Sequence, residues 1–149
     1  MATARAKRLA PVVEMAARDE RDAARLLGQC QGQLAQAQAQ LGDLERYRSD
    51  YQQQWIEQGQ RGVSGQWLMN YQRFLSQLET AIEQQCKSIS WYQDNLDKAR
   101  AHWQKRHVRL EALRKLVARY VREAQQLEGK REQKLLDELS QRLHAPHSD

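Results

Sequence analysis

The sequence EQGQRGVSGQW, residues 57–67, separates two long segments whose apolar spacing is typical of helices. It places Gly59, Gly62 and Gly65 close together, and several glycines within two helical turns destabilise a continuous helix. Ser64 follows as a residue of the kind that caps the start of a helix. The stretch therefore predicts a short loop joining two antiparallel helices.

On both sides of this loop, apolar residues recur in steps of three and four. The upstream seam runs from Val13 to Trp55 and is broken only by Glu20 and Arg48. A heptad repeat of this kind indicates a left-handed coiled coil.

The downstream seam runs from Leu68 to Leu127 and is the more regular of the two. It is apolar at 16 of 18 positions, the exceptions being Gln85 and Arg106. We therefore expect an all-α fold, an antiparallel two-helix coiled-coil hairpin that forms one long rod.

The whole chain, residues 1–149, is expected to form a single coiled-coil domain. Helix one is predicted at about 7–57, the loop at about 58–65 and helix two at about 66–128. Gly129 and a slipped leucine pattern then mark a weaker helical extension at about 130–143, followed by a disordered tail at 144–149.

The position of the turn sets the register of the two helices. A loop centred near residue 61 or 62 places Tyr51 level with about Gln72, and Val13 level with about Leu110. Residues after about 122 then have no partner within the hairpin. Cys30 and Cys86 fall ~10 Å apart along the axis at ~1.5 Å per residue, beyond disulfide reach, so no disulfide is expected.

Composition and motifs exclude several functional classes. The chain has 149 residues, a net charge of +5 and no apolar run of membrane-spanning length. Its N-terminus lacks the apolar core of a secretory signal, so a cytoplasmic protein is expected. No phosphate-binding loop, nucleophile motif or metal-ligand spacing occurs, so we expect no enzyme activity, no cofactor and no metal.

One group of aromatic residues lies off the heptad seam. Phe74, the only phenylalanine, sits beside the seam of helix two, and Tyr47 sits beside the seam of helix one at the same height. Exposed aromatics grouped in this way favour a protein-binding site, the alternative being the rim of a locally widened core. The predicted patch comprises Gln40, Leu44, Tyr47, Tyr51, Phe74, Leu78 and Ala81.

A basic pole is the second surface feature. Residues 100–122 contain eight Lys or Arg side chains against the single acid Glu111, and Arg5, Lys7 and Arg8 join them in the antiparallel register. Such a pole suits nucleic acid, an anionic membrane surface or an acidic protein, or is simply a solvated helix face. No nucleic-acid-binding motif accompanies the charge, so nucleic acid is not the expected partner.

Residues outside the heptad pattern give the sequence a specific resemblance. The stretches RDAARLLGQCQ (21–31) and GQWLMNYQRFLSQLETAIEQ (65–84), together with the two-helix layout, resemble the FliJ family of flagellar type III export proteins over roughly residues 15–125. The resemblance implies a hairpin similar to the stalk (gamma) subunit of rotary ATPases. It also implies a location in the cytoplasm, peripherally associated with the inner membrane at the flagellar base.

The resemblance further implies three kinds of partner. The hairpin would enter a ring of the flagellum-specific export ATPase (FliI) and promote ring assembly and ATP hydrolysis. It would also engage the export-gate membrane protein (FlhA) and escort flagellar export chaperones, so supporting flagellum biogenesis.

Site residues follow from the same resemblance. The patch defined above matches the gate-binding pattern of the family, except that Gln85 stands where the family would have histidine. If the rod enters the ring, the ring-contact candidates are Arg100, Lys105, Arg109, Arg114, Lys115, Arg119 and Arg122.

Three other interpretations remain open from the sequence alone. One is a generic basic coiled-coil adaptor or structural protein, associated or not with nucleic acid. Another is a homodimer or domain-swapped dimer that uses the same seam. The third is a chaperone dedicated to one exported substrate.

Overall fold

The structure, a computed structural model, describes residues 2–144. It consists of two helices, α1 (Ala2–Gln60) and α2 (Gly65–His144), which pack against each other, and the described residues contain no strand. The predicted all-α hairpin is confirmed.

The turn between the helices occupies residues 61–64, fewer than the sequence predicted. Gly62 has a φ of 81°, a left-handed conformation that glycine adopts without the penalty of a Cβ atom. The Ser64 hydroxyl accepts a hydrogen bond from the Trp67 amide at 3.1 Å, and this caps α2. Both the glycine and the serine therefore have the turn chemistry that the sequence indicated.

Helix α2 differs from the predicted boundaries at its C-terminal end. It passes through Gly129 without a break and continues to His144, where the expected extension was separate and His144 was placed in a disordered tail. No atom crowds Gly129, and the residues around it are mostly strong helix formers such as Lys130 and Leu135, so one glycine does not end the helix. Residues 145–149 of the predicted tail lie outside the described part of the chain.

The described chain divides into two compact units, each containing part of both helices. One unit spans Ala23–Trp103, and the other combines α1 up to Asp22 with α2 from Gln104 onward. In the first unit, a core cluster forms from Cys30, Leu34, Leu96 and Ala99. Because Cys30 and Cys86 are both free thiols in the structure, no disulfide links them.

The second unit is held by fewer buried side chains. Ala16 and Leu110 are its buried residues among those described, and the Arg5 guanidinium lies 5.7 Å from the centre of the Tyr120 ring. This cation–π contact brings the N-terminal basic segment beside the C-terminal half of α2, as the antiparallel register predicted.

Each charged residue that breaks a seam of the second unit lies near an ionisable residue of the other helix. The Arg106 guanidinium lies 3.7 Å from the Asp19 carboxylate, and the His107 ring nitrogen lies 3.9 Å from the Glu20 carboxylate. Both contacts join α1 to α2: the Asp19 carboxylate gives Arg106 an opposite charge, and the His107 ring lies beside Glu20.

Candidate protein-interaction surfaces

A ladder of aromatic rings joins the helices beside the turn. Trp55 stacks on Trp67 with ring centres 5.1 Å apart, and on Tyr71 with centres 4.4 Å apart. Tyr51 also stacks on Tyr71, at 5.0 Å and with an angle of 8° between the ring planes. Tyr51, Trp55 and Tyr71 are seam positions that come level with each other as the chain reverses, and Trp67 packs beside them at the start of α2.

Tyr71 is the most enclosed ring of the ladder, with 7% of its surface exposed. Burial raises the pKa of its hydroxyl above the usual 10.0, and the neighbouring Tyr51 and Glu79 raise this pKa further because they disfavour a second negative charge. Tyr71 is therefore a structural residue that stays neutral at physiological pH.

Phe74 extends the ladder to the side of the hairpin. Its ring centre lies 4.4 Å from that of Tyr51 and 5.8 Å from that of Tyr47, both in tilted arrangements. Phe74 is half-buried, whereas Tyr47 keeps 55% of its surface exposed. The off-seam aromatics thus contact each other across the helices while leaving apolar surface open to a partner.

A shallow groove of about 560 Å³ begins next to these rings. Its lining residues are Gln40, Asp43, Leu44, Tyr47, Leu78 and Gln85. Leu78, with 7% of its surface exposed, forms part of the floor and packs into the hairpin. Four residues of the predicted patch therefore line one groove.

The remaining predicted patch residues lie close by in sequence and structure. Tyr51 and Phe74 contact each other beside Tyr47, while Ala81 is half-buried one heptad after Phe74. The sequence patch did not include Asp43 or Gln85. Asp43 pairs with Arg46 on the same helix and gave no pattern to detect, whereas Gln85 was visible as a break in the apolar seam.

Gln85 makes two hydrogen bonds across the hairpin. Its amide nitrogen donates to the Ala37 carbonyl oxygen at 2.9 Å and to the Gln40 side-chain oxygen at 3.1 Å. A half-buried amide at a seam position is tolerated because its donor groups are satisfied. The same bonds tie Gln40, at the edge of the groove, to the interior of the hairpin.

The predicted basic residues are all exposed side chains of α2. Arg100 belongs to the unit spanning Ala23–Trp103, and the other six belong to the second unit. Arg114 pairs with Glu111 at 3.3 Å and Arg119 with Glu123 at 3.0 Å, both within the helix. These pairs reduce the positive charge that the segment presents.

Beyond this basic segment, α2 carries apolar side chains on its surface. All residues from 125 to 144 are exposed, and among them are Leu127, Leu135, Leu136, Leu139 and Leu143.

The described residues contain neither a membrane-spanning helix nor a metal-binding cluster. No helix there is both long and apolar enough to cross a membrane. Likewise, the described part of the chain holds no group of three or more His, Cys, Asp or Glu side chains arranged to bind a metal ion.

The fold defines the class, a helical-hairpin protein with two candidate interaction surfaces. Comparison with known proteins agrees with this class and identifies the family. The family model described as "Flagellar FliJ protein" matches residues 5–148. The chain belongs to the FliJ family of flagellar export proteins.

Individual relatives support the same assignment. The flagellar FliJ protein of Escherichia coli (strain K12) is 32% identical over 134 residues, covering 90% of this chain and 91% of the relative. The flagellar FliJ protein of Salmonella typhi is 33% identical over 129 residues, covering 87% and 88% respectively.

Proposed function

We propose that this chain is a non-enzymatic component of the flagellar type III export apparatus that connects the export ATPase to the export gate. The observation that carries the proposal is the family match, which extends over residues 5–148 and therefore includes both helices and both candidate surfaces. It works in the cytoplasm, against the cytoplasmic side of the inner membrane at the flagellar base.

The groove and the aromatic side chains next to it are the proposed contact for the export-gate protein. They combine an apolar floor, an exposed tyrosine and the amide of Gln40, a mixture that is typical of protein interfaces. The gate-binding residues are Gln40, Leu44, Tyr47, Tyr51, Phe74, Leu78 and Ala81. Leu78 supports the surface from below, because most of it is buried.

The basic segment of α2 is the proposed contact for the ATPase ring. Exposed Lys and Arg side chains on one helix attract an acidic protein surface and orient the approaching partner. The contact residues are Lys105, Arg109, Arg114, Lys115, Arg119 and Arg122, with Arg100 as a further candidate. In this position the hairpin promotes ring assembly and ATP hydrolysis, and it passes export chaperones between the ATPase and the gate.

Motility of the native bacterium tests the proposal. A strain lacking this gene is expected to secrete little flagellar protein and to swim poorly, and the intact gene restores both properties. A gene encoding Tyr47→Ala with Phe74→Ala is expected to restore neither fully, although the variant protein accumulates normally. Normal swimming by the deletion strain would contradict the proposed role in flagellar export.

A further inference from the structure

Gln85 occupies a position on α2 where the heptad pattern calls for an apolar residue. The atom that faces the Ala37 carbonyl oxygen at 2.9 Å must be the amide nitrogen of Gln85, because a carbonyl oxygen only accepts hydrogen bonds. The second N–H of this nitrogen then meets the side chain of Gln40 at 3.1 Å. Gln40 must therefore present its oxygen to Gln85.

This hydrogen bond fixes which end of the Gln40 amide is available to a partner. With the oxygen accepting from Gln85, the amide nitrogen and its two N–H groups remain for contacts outside the hairpin. Gln40 is exposed, and it lines the same groove as Leu44 and Tyr47. The groove thus places hydrogen-bond donors beside an apolar surface.

We infer that Gln85 is a positioning residue for the gate-binding surface: it orients the Gln40 amide so that its N–H groups donate to an acceptor oxygen of the gate protein. That acceptor lies next to an apolar side chain of the gate protein, which enters the groove against Leu44 and Tyr47. This inference rests on the proposed function. It adds that Gln40 is the hydrogen-bond donor in the contact with the gate protein, and that Gln85 acts on this contact through Gln40.

The inference separates stability from binding at Gln85. Replacing Gln85 with leucine removes both hydrogen bonds but restores the apolar seam, so the stability of the folded hairpin should not fall. Gln40 then has no fixed orientation, and its side chain must be ordered with the nitrogen outward when the partner binds. A residue with a purely structural role would show the opposite result, a change in stability without a change in binding.

The experiment is a double-mutant cycle measured as binding of the full-length chain to the cytoplasmic domain of the cognate gate protein. Gln85→Leu and Gln40→Ala are each expected to weaken binding about three- to ten-fold, the loss of one positioned hydrogen bond. The double variant is expected to bind no more weakly than either single variant, because both changes remove the same interaction. Thermal melting of each variant is recorded alongside.

Two further variants sharpen the result. Gln40→Glu still accepts the hydrogen bond from Gln85 but has no N–H group, so it is expected to bind at least as weakly as Gln40→Ala. Gln33, an exposed glutamine one heptad earlier on α1, provides the control, and Gln33→Ala is expected to bind normally.

The outcomes distinguish this inference from the proposed function. Unchanged binding by Gln85→Leu, or independent losses that multiply in the double variant, would overturn the positioning role while leaving gate binding intact. Failure of the unmodified chain to bind the gate domain would remove the proposed contact and this inference together.

Discussion

The rings of Tyr51 on α1 and Tyr71 on α2 stack with their centres 5.0 Å apart and their planes at 8°. Their contact joins residues from the two sides of the turn and continues into Trp55 and Trp67. Aromatic pairs of this kind contribute about 0.5–1.5 kcal/mol beyond the burial of their surface. The turn end is therefore a strongly held part of the hairpin.

Removing the buried ring of this pair is expected to destabilise the hairpin. Tyr71→Ala should lower the free energy of unfolding by about 3–5 kcal/mol, the usual cost of deleting a buried aromatic side chain. Urea unfolding followed by circular dichroism measures the change. Tyr47→Ala is the matched control, because more than half of Tyr47 is exposed, and its loss should stay below about 1 kcal/mol. Equal losses of unfolding free energy for the two variants would contradict the stabilising role of the Tyr71 ring.

The raised pKa of Tyr71 predicts a loss of stability in alkali. The folded hairpin disfavours the tyrosinate, so the contribution of Tyr71 is complete below pH 10.0, its unfolded value, and is lost as the pH rises through the higher folded pKa. Melting temperatures measured across this range should fall less steeply for Tyr71→Phe than for the unmodified chain. Identical slopes would mean that Tyr71 ionises as freely in the folded state as in the unfolded state.

The gate-binding surface predicts different behaviour for its two off-seam aromatics. Tyr47→Ala should weaken binding to the gate domain with little change in melting temperature. Phe74→Ala should weaken binding and also lower the melting temperature, because Phe74 packs against Tyr51. Trp91, an exposed aromatic elsewhere on α2, is the control, and Trp91→Ala should bind normally. Loss of stability without loss of binding would assign these rings to the core alone.

The seam ion pair of the second unit predicts a gain in stability on removing one charge. Arg106→Leu restores the apolar seam, and Asp19 keeps about half of its side chain in water, so no charge is left buried. Partly exposed ion pairs contribute only about 0–1 kcal/mol, less than the burial of a leucine. The melting temperature should therefore rise. A clear fall would show that the pair with Asp19 matters more than its geometry indicates.

The basic segment predicts a salt-sensitive contact with the ATPase. Reversing charge in Lys115→Glu with Arg122→Glu should abolish the stimulation of ATP hydrolysis, and binding of the unmodified chain should weaken as salt rises. Lys87→Glu, on the other unit, reverses one exposed charge outside the segment and should have little effect. Binding that does not change with salt concentration would instead indicate an apolar contact through the exposed leucines from Leu135 to Leu143.

Much of the fold was predictable because heptad spacing and turn chemistry are local. The seams, the glycine turn and the Ser64 cap each follow from a few adjacent residues, and the register then follows from the position of the turn. The uninterrupted passage of α2 through Gly129 was not predicted, since one glycine was given more weight than the helix formers around it.

The candidate site was predictable in outline and not in its hydrogen bonds. Phe74 and Tyr47 were identified because they lie off the seam, and the structure brings their rings together. The role of Gln85 depends on the distance between atoms of two helices, and a sequence pattern contains no such distance. From the sequence, Gln85 was recognised as a polar residue in an apolar row and as a departure from the family pattern, with no indication that it holds Gln40.

The most direct test of the proposed function is the rate of ATP hydrolysis by the cognate export ATPase as this chain is added, with ring formation followed by light scattering in the same samples. The account predicts stimulation that saturates well below one hairpin per ATPase subunit and rises together with ring formation. An unchanged rate, with no association between the two proteins, would contradict it.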